Sequence, residues 1–318
     1  MHRRACAGGA VISSESARAW LDRLAALNVS RSHTAGIAPH KPFLLLAILD
    51  MIEAGSLTTP TIDFCAELNF RFKSFWDVVA PRRTNAPDMR MPFHALGGAR
   101  DRIWQRLTST GAPSPGRDAT TRVAMEPGLW ALLHEPQFRR SLRETLVASY
   151  FEPSERAALY TRLDLPIPRD KVIAALRKRA EEWQTVRRRA RDSRFRTMVV
   201  AGYRFTCALT GYRMHSSREP MIEAAHIHQH SKSGNDDPSN GLALTPDAHW
   251  AFDRGLWTAV PDGRHWVVRV ASDVHEEPPG SPRSLLALQG RPLVFADGTR
   301  LRPDGQCFAW HREHCFVG

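Results

Sequence analysis

The sequence predicts an α+β protein: a mostly helical N-terminal part, then a compact strand, loop, strand and helix with further short strands. Three observations point there. Apolar residues recur at helical spacing through the first half, as in "PHKPFLLLAILDMIEAG" and "PQFRRSLRETLVASYF". Short apolar runs bounded by Gly, Pro and Asn dominate the last third, as in "PMIEAAHI", "NGLAL", "LWTAV" and "HWVVRVA". Between these halves, "EPSERAALYTRLDLPIPRD" repeats proline and loses hydrophobic periodicity. At 318 residues, two domains can each bury a core.

Taken in order, residues from about 15 to 56 read as helices, with Pro39 and Pro42 at one helix entry and Gly55 as its stop. "DFCAELNFRFKSFWDVV" reads as a second helix, with Phe64, Leu68, Phe72 and Phe75 as its apolar positions. An irregular Pro-, Gly- and Arg-rich stretch, "APRRTNAPDMRMPFHALGGARDRIWQRL", holds a short strand at Ile103 to Leu107. From Asp170 to about Val200 the pattern is helical and basic: between Arg169 and Arg204 stand twelve Lys and Arg against four Asp and Glu. Such a run is either a solvated helix face or a phosphate-contacting element. After Gly255, "LWTAV", "HWVVRVA" and "PLVFA" read as strands joined by "PDG" and "ADG" turns. The predicted division is 1–165, a basic helical connector at 166–196, and 197–318.

Charge narrows the partners. Forty-four Lys and Arg against 33 Asp and Glu leave +11, with a pI near 10.1, a field that favours polyanions such as nucleic acid. "FLLLAILDMI" is interrupted by Asp50 and closed by Glu53, too polar and short to cross a bilayer. "ACAGGAVISS" lacks the Leu-rich core of a signal peptide, so a cytoplasmic protein is expected. The five cysteines form no C-x-x-C pair and are odd in number, which argues against a disulfide framework and a thiolate zinc site.

Chemistry concentrates in "EAAHIHQHSKSGNDDPSNGLALTPDAHWAFD". Thr245, Pro246 and Asp247 open a helix that Gly255 ends. On it, His249 and Asp253 are one turn apart on one face and can chelate a divalent ion. Phe252 and Leu256 form a neighbouring stripe that anchors the helix. Upstream, "PMIEAAHI" delivers His226 at a strand's end, and "NGLAL" starts the return strand at Asn240. A neutral histidine has a pKa of about 6.5 and can take a proton from water near neutral pH. Asparagine cannot titrate, but its amide can orient a histidine or its loop. A hard cation stabilises charge developing on a phosphate. No second acidic cluster lies nearby, which favours one metal. His228 and His230 read as solvated or DNA-facing loop residues, Cys207 as a packing residue, and His311 as a terminal packing residue.

With "CALTG", "EAAHI", "NGLAL" and "HWAFDRGL" in that order, the segment from about Arg194 to Phe316 resembles the HNH (ββα-metal) endonucleases. The resemblance implies His226 as general base, Asn240 as orienting residue, His249 and Asp253 as metal ligands, and Mg²⁺ or Mn²⁺ as cofactor. Many HNH sites carry a metal-binding Asp or His just before the base, where this chain has Ala225. The remaining coordination would then come from water, DNA phosphate or another side chain such as Glu223, which reads equally well as a structural residue.

The first half offers "HKP" at a helix entry and "MPFHAL" after the Arg-rich loop. A helix N-terminus beside His40 and Lys41 is an anion site; Met91, Pro92 and Phe93 would present a soft apolar surface, or else pack inward. "HKPFLLLAIL…MPFHAL…IW", from about Arg31 to Phe151, is similar to the sulfur-binding domain of phosphorothioate-dependent restriction endonucleases. That similarity implies a reader of DNA in which sulfur replaces a non-bridging phosphate oxygen, with Met91, Pro92 and Phe93 at the sulfur and His40 and Lys41 at phosphate. In that family an aromatic residue often precedes the pocket proline, whereas this chain has Met91. The expected whole is a modification-dependent endonuclease of the type IV restriction group, acting on double-stranded DNA, with double-strand cleavage suggesting a homodimer. The rivals are an HNH enzyme reading methylated or plain DNA, and a non-catalytic DNA-binding protein stabilised by zinc.

Overall fold

A computed structural model describes residues 14–32, 36–80, 86–168, 180–214, 220–277, 281 and 284–318. The opening segment with Arg3 and Arg4, the arginines at 82 and 83, and the start of the basic run from Arg169 lie outside the described residues. Among the described residues, no helix is long and apolar enough to cross a membrane. Contacts divide the chain into two units: Met1–Phe64 with Phe75–Tyr160, and Cys65–Ser74 with Thr161–Gly318.

In the first unit, α1 (Ser14–Ala25) and the short antiparallel pair β1 (Arg31–Ser32) and β2 (Gly36–Ile37) lead into α2 (His40–Glu53). Helix α2 is apolar nearly all round, and Phe43 through Leu49 with Met51 are buried, as a helix enclosed on every side must be. Strand β3 (Thr61–Asp63) precedes α3 (Ala66–Ser74) and the α4 turn (Arg90–Ala95). The antiparallel sheet runs β3–β5–β4, with β4 at Trp104–Leu107 and β5 at Arg122–Met125. Helices α5 (Pro127–Leu133), α6 (Pro136–Tyr150) and α7 (Pro153–Arg162) follow. Buried Tyr150 closes α1 onto α6: its hydroxyl accepts from Leu27 N at 2.6 Å and donates to Leu24 O at 2.8 Å. Burial pushes that phenol up to about 12.

Three sequence expectations change here. "MPFHAL" is helical rather than irregular, and the central strand β5 was not read in the sequence. The stretch read as a break holds α7, because Ala157, Ala158 and Leu159 supply a buried face that the flanking prolines obscure in the pattern.

The second unit takes α3 into its core, where Phe70 meets Phe205 edge-on at 5.5 Å. Helix α8 is described from Ala180 to Gly202, and its C-terminal half packs across the antiparallel hairpin of β6 (Glu223–His226) and β7 (Gly241–Leu244). The connection carries a short helical turn α9 (His230–Ser233) and a 3₁₀ turn at Pro238–Asn240. Then come α10 (Pro246–Asp253), the hairpin β8 (Trp257–Asp262) and β9 (His265–Val270), and α11 (Gly305–His314). Phe195, Val199, Leu242, Leu244, Phe252, Trp257 and Phe308 share one core. "PLVFA" adds only an isolated bridge from Pro292 to Val267, since proline has no N–H to continue a ladder.

Candidate active site

The β6–β7 register sorts the site residues onto two faces. His226 pairs with Gly241 and Ala224 with Ala243, so these side chains share the face toward α8; Glu223 and Ala225 lie on the other, opposite Leu244 and Leu242. Gly241 is required by close approach, because a Cβ there would collide with Val199 and press on Phe195. The bare backbone opposite His226 leaves its imidazole room to stack on Phe195, at 3.7 Å between centroids and 4° between planes. His226 Nε2 is 3.3 Å from Asp236 Oδ1. Burial lowers the histidine's pKa from its ordinary value; Asp236 opposes that, His230 adds to it, and Asp192 opposes it.

Asn240 is fully buried and acts on the loop that leaves His226. Its Oδ1 accepts from His228 N at 2.7 Å, while Nδ2 donates to His228 O at 2.9 Å and Asn235 O at 3.0 Å. Its backbone carbonyl accepts from Ile227 N at 2.9 Å. The amide thus pins both ends of the loop behind the histidine.

On the other face, α10 packs against β6. His249 Nε2 lies 3.4 Å from Asp253 Oδ2, the i,i+4 pair expected of this helix. Its Nδ1 lies 2.8 Å from Glu223 Oε2. A carboxylate on one ring nitrogen fixes the tautomer and presents the other nitrogen to a cation. Glu223, weighed above as a metal ligand, therefore occupies the supporting position. Helix α10 is held by buried Phe252 and by Trp257, whose Nε1 donates to Ala248 O at 3.0 Å. Gly255 ends it at φ +69°, where a Cβ would strike the Cys315 carbonyl of the returning C-terminus.

Among the described residues, no group of three or more His, Cys, Asp and Glu is gathered to hold a metal ion. His249 and Asp253 nevertheless suit one. They offer one nitrogen and one oxygen on a half-exposed helix face, and Mg²⁺-type ions keep several waters and bind through few protein donors plus substrate phosphate.

Two histidines set aside in the sequence have defined places. His230 Nε2 is 3.4 Å from Asp236 Oδ2, and His228 stacks on Trp310 at 4.0 Å, so neither is a solvated loop residue. Asp236 and Phe195 escaped notice altogether; the only sequence signal for Asp236 is a carboxylate in the loop returning to Asn240. His311 packs as expected, stacked on Phe252 at 3.9 Å, with Nδ1 at Thr258 Oγ1 and Nε2 at Phe252 O. Burial pushes its pKa down to about 4. Cys207 is buried with Sγ near Thr245.

Lys41 Nζ donates to Asp101 Oδ2 and to Asn28 O, both at 2.5 Å, with the two side chains only 12% and 3% exposed. The ammonium expected at phosphate is thus engaged in an ion pair within the fold. Phe93 takes the inward alternative, buried between Phe64 at 5.3 Å and Trp104 at 5.9 Å, with Pro92 also buried. Met91 alone projects outward, 54% exposed. His40 meets Trp76 edge-on at 4.9 Å at the start of α2. Beside Met91, His94 joins Thr120 through Nδ1 and Arg106 through Nε2, and burial, then Arg106 and Arg117, lower its pKa.

Residues 207–259 match the HNH_2 family model, described as HNH endonuclease. This segment is an HNH endonuclease domain. HNH nucleases generally use a divalent metal ion. The domain's span takes in β6, β7 and α10, with His226, Asn240, His249 and Asp253. A search of curated proteins finds no match to the chain. Among solved structures, the chain is similar to a modification-dependent TagI restriction endonuclease, at 23% identity and a TM-score of 0.28. That similarity covers 37% of this chain and 36% of the other, so the chain aligns with about a third of that protein's length.

Proposed function

We propose that this chain is a modification-dependent DNA endonuclease that hydrolyses phosphodiester bonds at the HNH site and reads phosphorothioate DNA through its N-terminal unit. The observation that carries the catalytic half is the division of labour across the β6–β7 hairpin. One face holds an imidazole stacked on Phe195 and bonded to Asp236, and the other holds an imidazole and an exposed carboxylate one helix turn apart.

His226 acts as the general base. Held flat on Phe195, it takes a proton from the water that attacks phosphorus, and the 3′ oxygen leaves, giving 5′-phosphate and 3′-hydroxyl ends. Its lowered pKa keeps it neutral, and so able to accept a proton, below the ordinary histidine range. Asn240 keeps the loop behind it in one conformation. His249 and Asp253 would hold Mg²⁺ or Mn²⁺, with Glu223 orienting His249; such an ion supplies charge stabilisation at the scissile phosphate.

The substrate half rests on charge and on Met91. A net charge of +11 favours DNA over neutral partners. The thioether of Met91 stands exposed on a short helix that packs against α2, and a polarisable, weakly hydrated sulfur suits a phosphorothioate better than a phosphate oxygen. One HNH site cuts one strand, so double-strand cleavage calls for two copies acting together.

The test is cleavage of matched phosphorothioate, methylated and unmodified duplexes with Mg²⁺ or Mn²⁺, using wild type and His226→Ala. The reading expects preference for the phosphorothioate duplex and loss of cleavage by about a hundredfold or more in the variant, with DNA affinity kept. Equal cutting of all three duplexes ends the sulfur reading. A variant that loses its fold and a bound zinc together ends the catalytic one.

A further inference from the structure

The catalytic histidine has a partner outside the H-N-H constellation. Asp236 lies in the loop between β6 and β7, and its side chain is 16% exposed. One oxygen is 3.3 Å from His226 Nε2 and the other 3.4 Å from His230 Nε2. His230 Nε2 and Asp236 Oδ2 are both buried, and neither has a hydrogen-bond partner among the described residues. The carboxylate therefore sits between two imidazoles, engaged by one and poised beside the other. Arg191 on α8 brings its Nε to 3.9 Å of the same oxygen, and Asp192 on α8 also acts on His226 through its charge.

A carboxylate accepts hydrogen bonds and, when ionised, donates none. His226 must then carry its ring proton on Nε2, which leaves the lone pair on Nδ1. We propose that Asp236 is a positioning residue for His226: its carboxylate takes the Nε2–H hydrogen bond and makes Nδ1 the nitrogen that accepts the proton from the attacking water. In the step, the water O–H bond breaks as its oxygen bonds to phosphorus and the proton goes to Nδ1; the P–O3′ bond breaks, the 3′ oxygen leaves and takes a proton from solvent water, and the resulting imidazolium keeps Nε2–H on Asp236. This inference rests on His226 being the base.

Two readouts test it without metal and with it. Nitrogen chemical shifts of the His226 ring, measured on the full chain without metal above neutral pH, should report the Nε2–H tautomer, and Asp236→Ala should mix the two tautomers. With metal and DNA, the isosteric Asp236→Asn should lower kcat about ten- to a hundredfold while KM stays put. The acid limb of its pH profile should move to lower pH, because the charge that raises the His226 pKa is gone. An Nδ1–H tautomer in the wild type, or an Asp236→Asn variant with unchanged kcat and acid limb beside an inactive His226→Ala, overturns the role of Asp236 alone. A His226→Ala variant that cuts as fast as wild type overturns the role together with the reading beneath it.

Discussion

The residues that stand out in the sequence met opposite fates in the two units. In the HNH unit, His226, Asn240, His249 and Asp253 all fall on one hairpin and its following helix, with polar atoms engaged in orienting contacts. In the N-terminal unit, Lys41 is engaged by Asp101, Phe93 is taken up by the core, and of the Met-Pro-Phe run only Met91 faces out. The difference lies in the spacing. Within a hairpin and one helix, separations along the chain convert directly into positions on faces. "HKP" and "MPF" are some fifty positions apart, so their relation depends on packing that the pattern does not encode.

The sharpest way to break this contrast is Lys41→Ala. As the partner of a nearly buried carboxylate, its loss should cost about 3–5 kcal/mol of stability, read by denaturant unfolding of the N-terminal unit. A stable variant whose DNA binding instead loses salt dependence would return Lys41 to a phosphate-binding role.

Next in size is the pH dependence of the HNH unit through His311. Its folded pKa of about 4 lies below an unfolded value near 6.5. Above 6.5 both states are neutral and stability is full. As pH falls from about 6.5 to about 4 the unfolded state binds a proton that the folded state refuses, so stability drops by up to about 3 kcal/mol at about 1.4 kcal/mol per unit. Urea midpoints across that window, flattened by His311→Leu, check it.

Asn240→Ala strips three hydrogen bonds from the loop behind His226 and should cost about 2 kcal/mol, with faster hydrogen exchange at the His228 amide. Smallest is Met91→Ala, expected within about 0.5 kcal/mol of wild type in stability because the side chain is exposed. Its effect belongs in discrimination between phosphorothioate and phosphate duplexes, and an unchanged ratio removes Met91 from the reader.

By itself the sequence determined the α+β class, the helical first half, and the strand, loop, strand and helix that carry the HNH pattern. Period-2 and period-3.6 apolar spacing and turn residues are local signals, and these elements obey them. Strand β5 and helix α7 stayed hidden because polar loop residues and prolines blur such signals; tertiary partners decided them. At the site, the i,i+4 placement of His249 and Asp253 was legible because one helix turn enforces it. Nothing local announces that Glu223 braces His249 from a strand 26 positions earlier, that Phe195 forms the floor under His226, or that Asp236 and His230 meet beside it. Those contacts exist only once α8 and α10 close on the two faces of the hairpin. They set which nitrogen of each histidine meets a carboxylate.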